Sequence, residues 1–140
     1  HAGGFVKSAP SRDKSNIQLY FSPLTRDLQP GAPGRMAQAD PYAAFSIGAC
    51  NTRPKSRGAI SLRSSDMRDA PLIRFNFLDD PDDLAEMVEG AHMLRALAGA
   101  SALQRIIEKE YLPGADVRSD VELEQDIRAR GYSIYYPCSS

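Results

Sequence analysis

The chain has 140 residues, of which 42% are hydrophobic and 25% charged, and its formal net charge is -1. Those proportions suit an ordinary globular protein of one domain spanning 1–140. They exclude the basic footprint of a nucleic-acid binder, because Lys and Arg are scattered without a block of like charge. No apolar run approaches the ~20 residues that cross a bilayer, and the N-terminal HAGGFVKS carries no apolar signal-peptide core. A cytoplasmic protein without a membrane segment or a nucleic-acid partner is the expectation.

In chain order, Asn16 to Phe21 (NIQLYF) alternates Ile17, Leu19 and Phe21 against Asn16, Gln18 and Tyr20. A period of two predicts a strand with one apolar and one polar-aromatic face. Residues 22–43 hold four prolines and two glycines and predict a long surface excursion. Ala44 to Asn51 predicts the next strand, Arg53 to Gly58 a turn, and Ala59 to Ser64 a returning strand. Together they predict an antiparallel hairpin with Gly58 at its turn. Pro71 to Leu78 reads as a further extended segment, with Ile73, Phe75 and Phe77 on one side.

The rest predicts helices. Asp80 suits an N-cap, Pro81 the first helical position, and Asp82 and Asp83 the positive helix end. Leu84, Met87, Val88, Ala91, Leu94 and Ala98 follow helical spacing up to Gly99, with Arg95 in the same stripe. Ser101 with Gln104 predicts a capping box for a second helix bearing Leu103, Ile106 and Ile107, and Ser119 with Glu122 one for a third that ends at Gly131. Tyr132 to Tyr136 predicts a short closing strand. Strands first and helices second imply an α+β fold, an antiparallel β-sheet with helices packed on one face.

The sequence offers little chemistry on its own. Cys50 and Cys138 read as free thiols, and His92 as a partly exposed helix residue. No pattern of metal ligands and no Ser/His/Asp set stands out. Gly3-Gly4 precedes a strand-like FVKS and not a helix, so no GxGxxG phosphate turn is present.

The succession GGFVKS, IQLYFSP, RPKSRGAISLRSSD, DAPLIRFNFL, MVEGAHMLR and SDVELEQDIRARGYSIYYPC resembles the C-terminal part of the glucose-methanol-choline (GMC) oxidoreductases. The resemblance runs in the family's order over almost the whole chain and is nearest to the choline-dehydrogenase-like branch. It implies a substrate-binding domain whose sheet forms the wall opposite a flavin, with FAD held by a Rossmann-type domain of the same enzyme that lies mostly upstream of His1. It implies oxidation of a primary alcohol by hydride transfer to that flavin. No FAD is expected on these 140 residues alone, and activity is not expected from them in isolation. The sheet face that the FAD domain would cover is then a surface for self-association.

The resemblance also assigns residues. The family's Tyr-His-Pro corresponds to Tyr135-Tyr136-Pro137, so Tyr136 occupies the catalytic histidine's position. A phenol with pKa ~10 is a weaker base at neutral pH than an imidazole near ~6.5. Gln18 and Tyr20 fall where the family faces its substrate, and Asn51 ends a neighbouring strand; these three are the candidate substrate-binding residues. Two readings stay open: an enzyme's substrate domain, or a non-catalytic binding domain that has lost the histidine.

Overall fold

A computed structural model describes residues 2–25 and 39–133. It contains strands β1 (Ala2–Val6), β2 (Ile17–Ser22), β3 (Ser46–Asn51), β4 (Ala59–Ser61) and β5 (Leu72–Arg74), then helices α1 (Pro81–Ala98), α2 (Ser101–Gln104) and α3 (Asp120–Arg130). The fold is α+β, as expected. β1, β2 and β3 form an antiparallel sheet in that order, and β4 and β5 form a separate antiparallel pair.

The alternation in β2 decides which side of the sheet is covered. Val6, Ile17 and Asn51 stand side by side across the three strands, as do Gly4, Leu19 and Ala49. Side chains on directly paired residues point the same way. This face lies under α1, and Ile17 is fully buried there (0% exposed) with Leu84 and Val88 of the helix. Gly90 sets how closely the layers approach: a Cβ at that position would come within 3.3 Å of the Ala49 Cβ. α3 packs on the far side of α1 through Leu123, which is 1% exposed. His92 of α1 is exposed, with Nε2 2.7 Å from Asp120 Oδ1 at the start of α3.

The helix ends follow the sequence signals. The Asp80 carboxylate accepts from the Asp82 N–H at 2.9 Å, and the Gly99 N–H closes α1 on the Arg95 carbonyl at 2.9 Å. Ser119 and Glu122 form the expected reciprocal capping box of α3. Arg95, the one polar member of the α1 stripe, reaches Glu110 at 3.1 Å and the Gly114 carbonyl at 3.3 Å, tying the α2–α3 connection to the helix.

Three expectations need correction. Ala44–Asn51 and Ala59–Ser64 do not form a hairpin around Gly58; β3 pairs with β2, and β4 pairs with β5. The reason is Asp83. Its carboxylate accepts the Lys55 and Ser56 N–H groups, each at 2.8 Å, and the Ser56 hydroxyl at 2.5 Å. The Arg53–Gly58 segment is thereby drawn onto the start of α1 and cannot fold back on β3.

The second correction concerns the helix expected to carry Ile106 and Ile107. It is the single turn Ser101–Gln104, capped at Ala100 with no side-chain cap bond. Ser101 is already inside the helix, and Gln104 instead donates to the Ala98 carbonyl at 3.0 Å. Third, the segment after β5 does not stay extended to Leu78. Asn76 and Leu78 take φ of 51° and 57°, turning the chain into α1. The 22–43 excursion is drawn together at its base by the Asp40 N–H on the Thr25 carbonyl at 3.1 Å. Most of the expected closing strand, with Tyr136, and Cys138 lie outside the described residues.

Candidate functional site

The sheet face turned away from α1 carries the other alternate residues. Phe5, Gln18 and Cys50 stand in one row, and Gly3, Tyr20 and Gly48 in the next. No described helix packs against this side. Gln18 and Tyr20 are therefore neighbours on one surface, about 7 Å apart by strand rise. Phe5 is 65% exposed beside them.

The Tyr20 ring has a glycine on either side. A Cβ at Gly48 would meet nothing within 4 Å, so the floor on that side is open. On the other side a Cβ at Gly3 would fall 2.5 Å from the Leu19 carbonyl oxygen, so the β1 backbone can take this course only with glycine. Burial pushes the Cys50 thiol up from its ordinary value, and a hydrogen bond from Tyr20 offsets part of that rise. A protonated thiol beside a phenol is a weak polar contact and a poor nucleophile.

Asn51 belongs to the opposite face. Its amide donates to the Asp83 carbonyl at 3.2 Å and to Glu86 Oε2 at 3.0 Å. Glu86 in turn meets Arg12 at 3.1 Å, and Arg12 also holds Glu89 at 3.0 Å. Ser8 donates to Glu89 as well, and Asn16 donates to the Ser8 hydroxyl at 2.8 Å. This chain of contacts fastens the β1–β2 loop and the end of β3 to one side of α1. Donors from Ser8 and Arg12 hold the Glu89 carboxyl below its usual value against the effect of burial.

Of the four residues singled out in the sequence, the structure brings Gln18 and Tyr20 together and sets Asn51 beneath the sheet. Tyr136 is outside the described residues. The same face adds Cys50, Gly3 and Gly48. The alternation Ser46, Gly48, Cys50 against Ile47, Ala49, Asn51 carries that information, and also shows that Asn51 cannot share a side with Cys50.

A concavity of about 250 Å³ opens at the end of the helix layer between Leu19, Phe21 and Ile47 of the sheet and Leu94, Leu97 and Leu103 of the helices. Its lining is apolar apart from Tyr20, which also borders it. Among the described residues no cluster of His, Cys, Asp and Glu could hold a metal ion, and no helix is long and apolar enough to cross a membrane.

Comparison with known proteins agrees with the resemblance. A C-terminal family model described as GMC oxidoreductase matches residues 54–140. An alcohol dehydrogenase [acceptor] of Pseudomonas putida is 39% identical over 136 residues, covering 97% of this chain and 24% of that protein. An oxygen-dependent choline dehydrogenase of Pseudomonas fluorescens (strain SBW25) is 32% identical over 139 residues, 99% of this chain and 24% of its own length. One of Rhizobium rhizogenes is 30% identical over 139 residues, again with 99% and 24% covered. The chain spans about a quarter of the length of the curated relatives it matches. It belongs to the GMC oxidoreductase family, as a C-terminal part of the choline- and alcohol-dehydrogenase-like branch.

Proposed function

We propose that this chain is the substrate-facing part of an FAD-dependent alcohol dehydrogenase. In this reading the Gln18–Tyr20 face is the wall opposite the flavin, and the substrate is a small primary alcohol. The supporting observation is that face: half-buried Gln18 and Tyr20 side by side under no described helix, the ring with a glycine on each side and its hydroxyl buried, in a chain that aligns along nearly its whole length with an alcohol dehydrogenase.

The described residues do not fit the phosphates of a dinucleotide. Gly3 and Gly4 lie inside β1, which leads through a loop to β2, so no helix N-terminus stands behind them. FAD would be held elsewhere in the longer protein, where it supplies the hydride acceptor. What these residues contribute is orientation. The Gln18 carboxamide can both donate to and accept from a hydroxyl, and the Tyr20 ring offers an apolar or cation-binding surface between its two glycines.

Tyr136 stands where the family keeps its histidine, and general-base assistance contributes roughly 10²–10⁴-fold. Tyr136→His in the full-length enzyme should raise the rate of flavin reduction by a primary alcohol by a large part of that factor. The experiment is anaerobic stopped-flow reduction of the flavin band in both forms. A full-length protein that takes up no flavin, or whose flavin no alcohol reduces in either form, would overturn the enzyme reading. It would favour the second one, a binding domain without catalysis, to which the absence of histidine at position 136 also points.

A further inference from the structure

The β4–β5 arm is the most exposed apolar surface among the described residues. Ile60 and Ile73 face each other across the pair, and they are 75% and 53% exposed. Leu62 is 82% exposed, Met67 near the tip 96%, Phe75 49% and Phe77 44%. The two phenylalanine rings stack at 5.0 Å with planes 9° apart. β4 and β5 touch each other and no other described strand or helix.

A two-stranded ribbon of this kind is marginal in water, and an exposed apolar surface of several hundred Å² marks an interaction site. The arm's base, by contrast, is held firmly. Asp83 takes the backbone of Lys55 and Ser56, the Asp80 N–H bonds the Ser56 hydroxyl at 2.9 Å, and Asn76 donates to the Arg57 carbonyl at 3.0 Å. A rigid base under a bare ribbon is the construction of a preset contact surface.

Two observations indicate the occupant. The arm lies inside the 54–140 span that matches the family model, so it is part of the region this chain shares with that family. The relatives are about four times as long as this chain, so most of their residues lie outside it. We infer that the arm, from Ile60 to Phe77, docks on an apolar surface of the flavin-carrying part of the same polypeptide and fixes the open sheet face in front of it. This rests on the flavin reading above for the identity of that part.

The test is peptide-resolved methionine oxidation by dilute hydrogen peroxide in the full-length protein, with the flavin band recorded on the same sample. Sulfoxide formation follows exposure. In an undocked arm Met67 oxidises far ahead of the half-buried Met87 and Met93; docking inverts that order. Met67 slower than Met93 at every protein concentration is the expected result. Met67 oxidising first overturns the inference. Protection that disappears on dilution also overturns it, because a second copy then covers the arm. A protected Met67 in a protein without a flavin band sinks the flavin reading and leaves the docking in place. No substitution is involved, so a folding defect cannot imitate either outcome.

Discussion

The three-stranded sheet and the two-stranded arm are written in similar sequence and end in opposite environments. Ile17, Leu19 and Phe21 alternate with polar residues, and so do Ile60 and Leu62. Ile17 is fully buried under α1, whereas Ile60 is 75% exposed. Alternation thus specifies a strand and its two faces. Whether the apolar face is covered depends on another element, which for the sheet is α1 and for the arm is not among the described residues.

The sharpest way to break this comparison is to shorten the two isoleucines in turn. Ile17→Ala should cost the chain about 4 kcal/mol, the range for a buried aliphatic side chain whose neighbours cannot close the gap. Ile60→Ala should change its stability by less than about 0.5 kcal/mol. Urea denaturation of both variants measures the difference, and similar midpoints would mean that the arm is covered in solution.

The joint between the two regions comes next. Asp83 is 2% exposed. Burial alone raises its carboxyl, but the donors from Ser56 and Lys55 prevail and hold it below its ordinary value. Asp83→Ala leaves three donors without their acceptor and should cost about 3 kcal/mol. Amide exchange of Lys55 and Ser56 should accelerate with it. Because the folded-state value is depressed, this stabilisation is fully present above the ordinary 3.8 and declines as pH falls through the folded value. Acid should therefore release the arm's base, which amide exchange measured below pH 3.8 would detect.

The smallest effect concerns α3, which the sequence describes almost completely. Ser119→Ala removes an N-cap and should cost about 1 kcal/mol. Backbone donors from Ser119 and Arg118 bring the Glu122 carboxyl down from 4.5 to about 2. Its capping contribution is full above 4.5, weakens as pH falls, and is gone below about 2. The N-terminal turn of α3 should thus remain protected at a pH where an ordinary glutamate is already neutral. Circular dichroism and amide exchange along a pH series follow it.

What could be read from the residues divides by range. Asp80, Gly99 and the Ser119–Glu122 box act within one helical turn, and each does what its spacing predicts. The faces of β2 are also local, and with the register they place Gln18 and Tyr20 together. The hairpin around Gly58 failed because its competitor lies far along the chain. The three bonds from Asp83 to Lys55 and Ser56 span 27 and 28 positions, and nothing within RPKSRG announces them. Asp83 looked like an acidic residue suited to the helix dipole, and only burial reveals its other partners. Asn51 misled for a related reason: ending a strand says nothing about which face it joins until the pairing with Ile17 is known. Residue 136 came from resemblance alone, and its neighbours are outside the described residues.

The Ser56 hydroxyl has consequences for how this protein can vary. It gives its proton to Asp83 and receives the N–H of Asp80, so one oxygen atom joins the connecting segment to the first turn of α1. Adding or deleting a residue between Thr52 and Ser56 would move that oxygen by roughly 3 Å per residue, beyond the reach of both partners. The described contacts of the 22–43 excursion, among them the Asp40–Thr25 backbone bond and the Tyr42 ring against Tyr111, lie near its two ends, and surface loops of this kind tolerate insertion. Length changes should therefore accumulate in the excursion and be excluded from the five residues before Arg57, a contrast that insertion scanning would expose in one library.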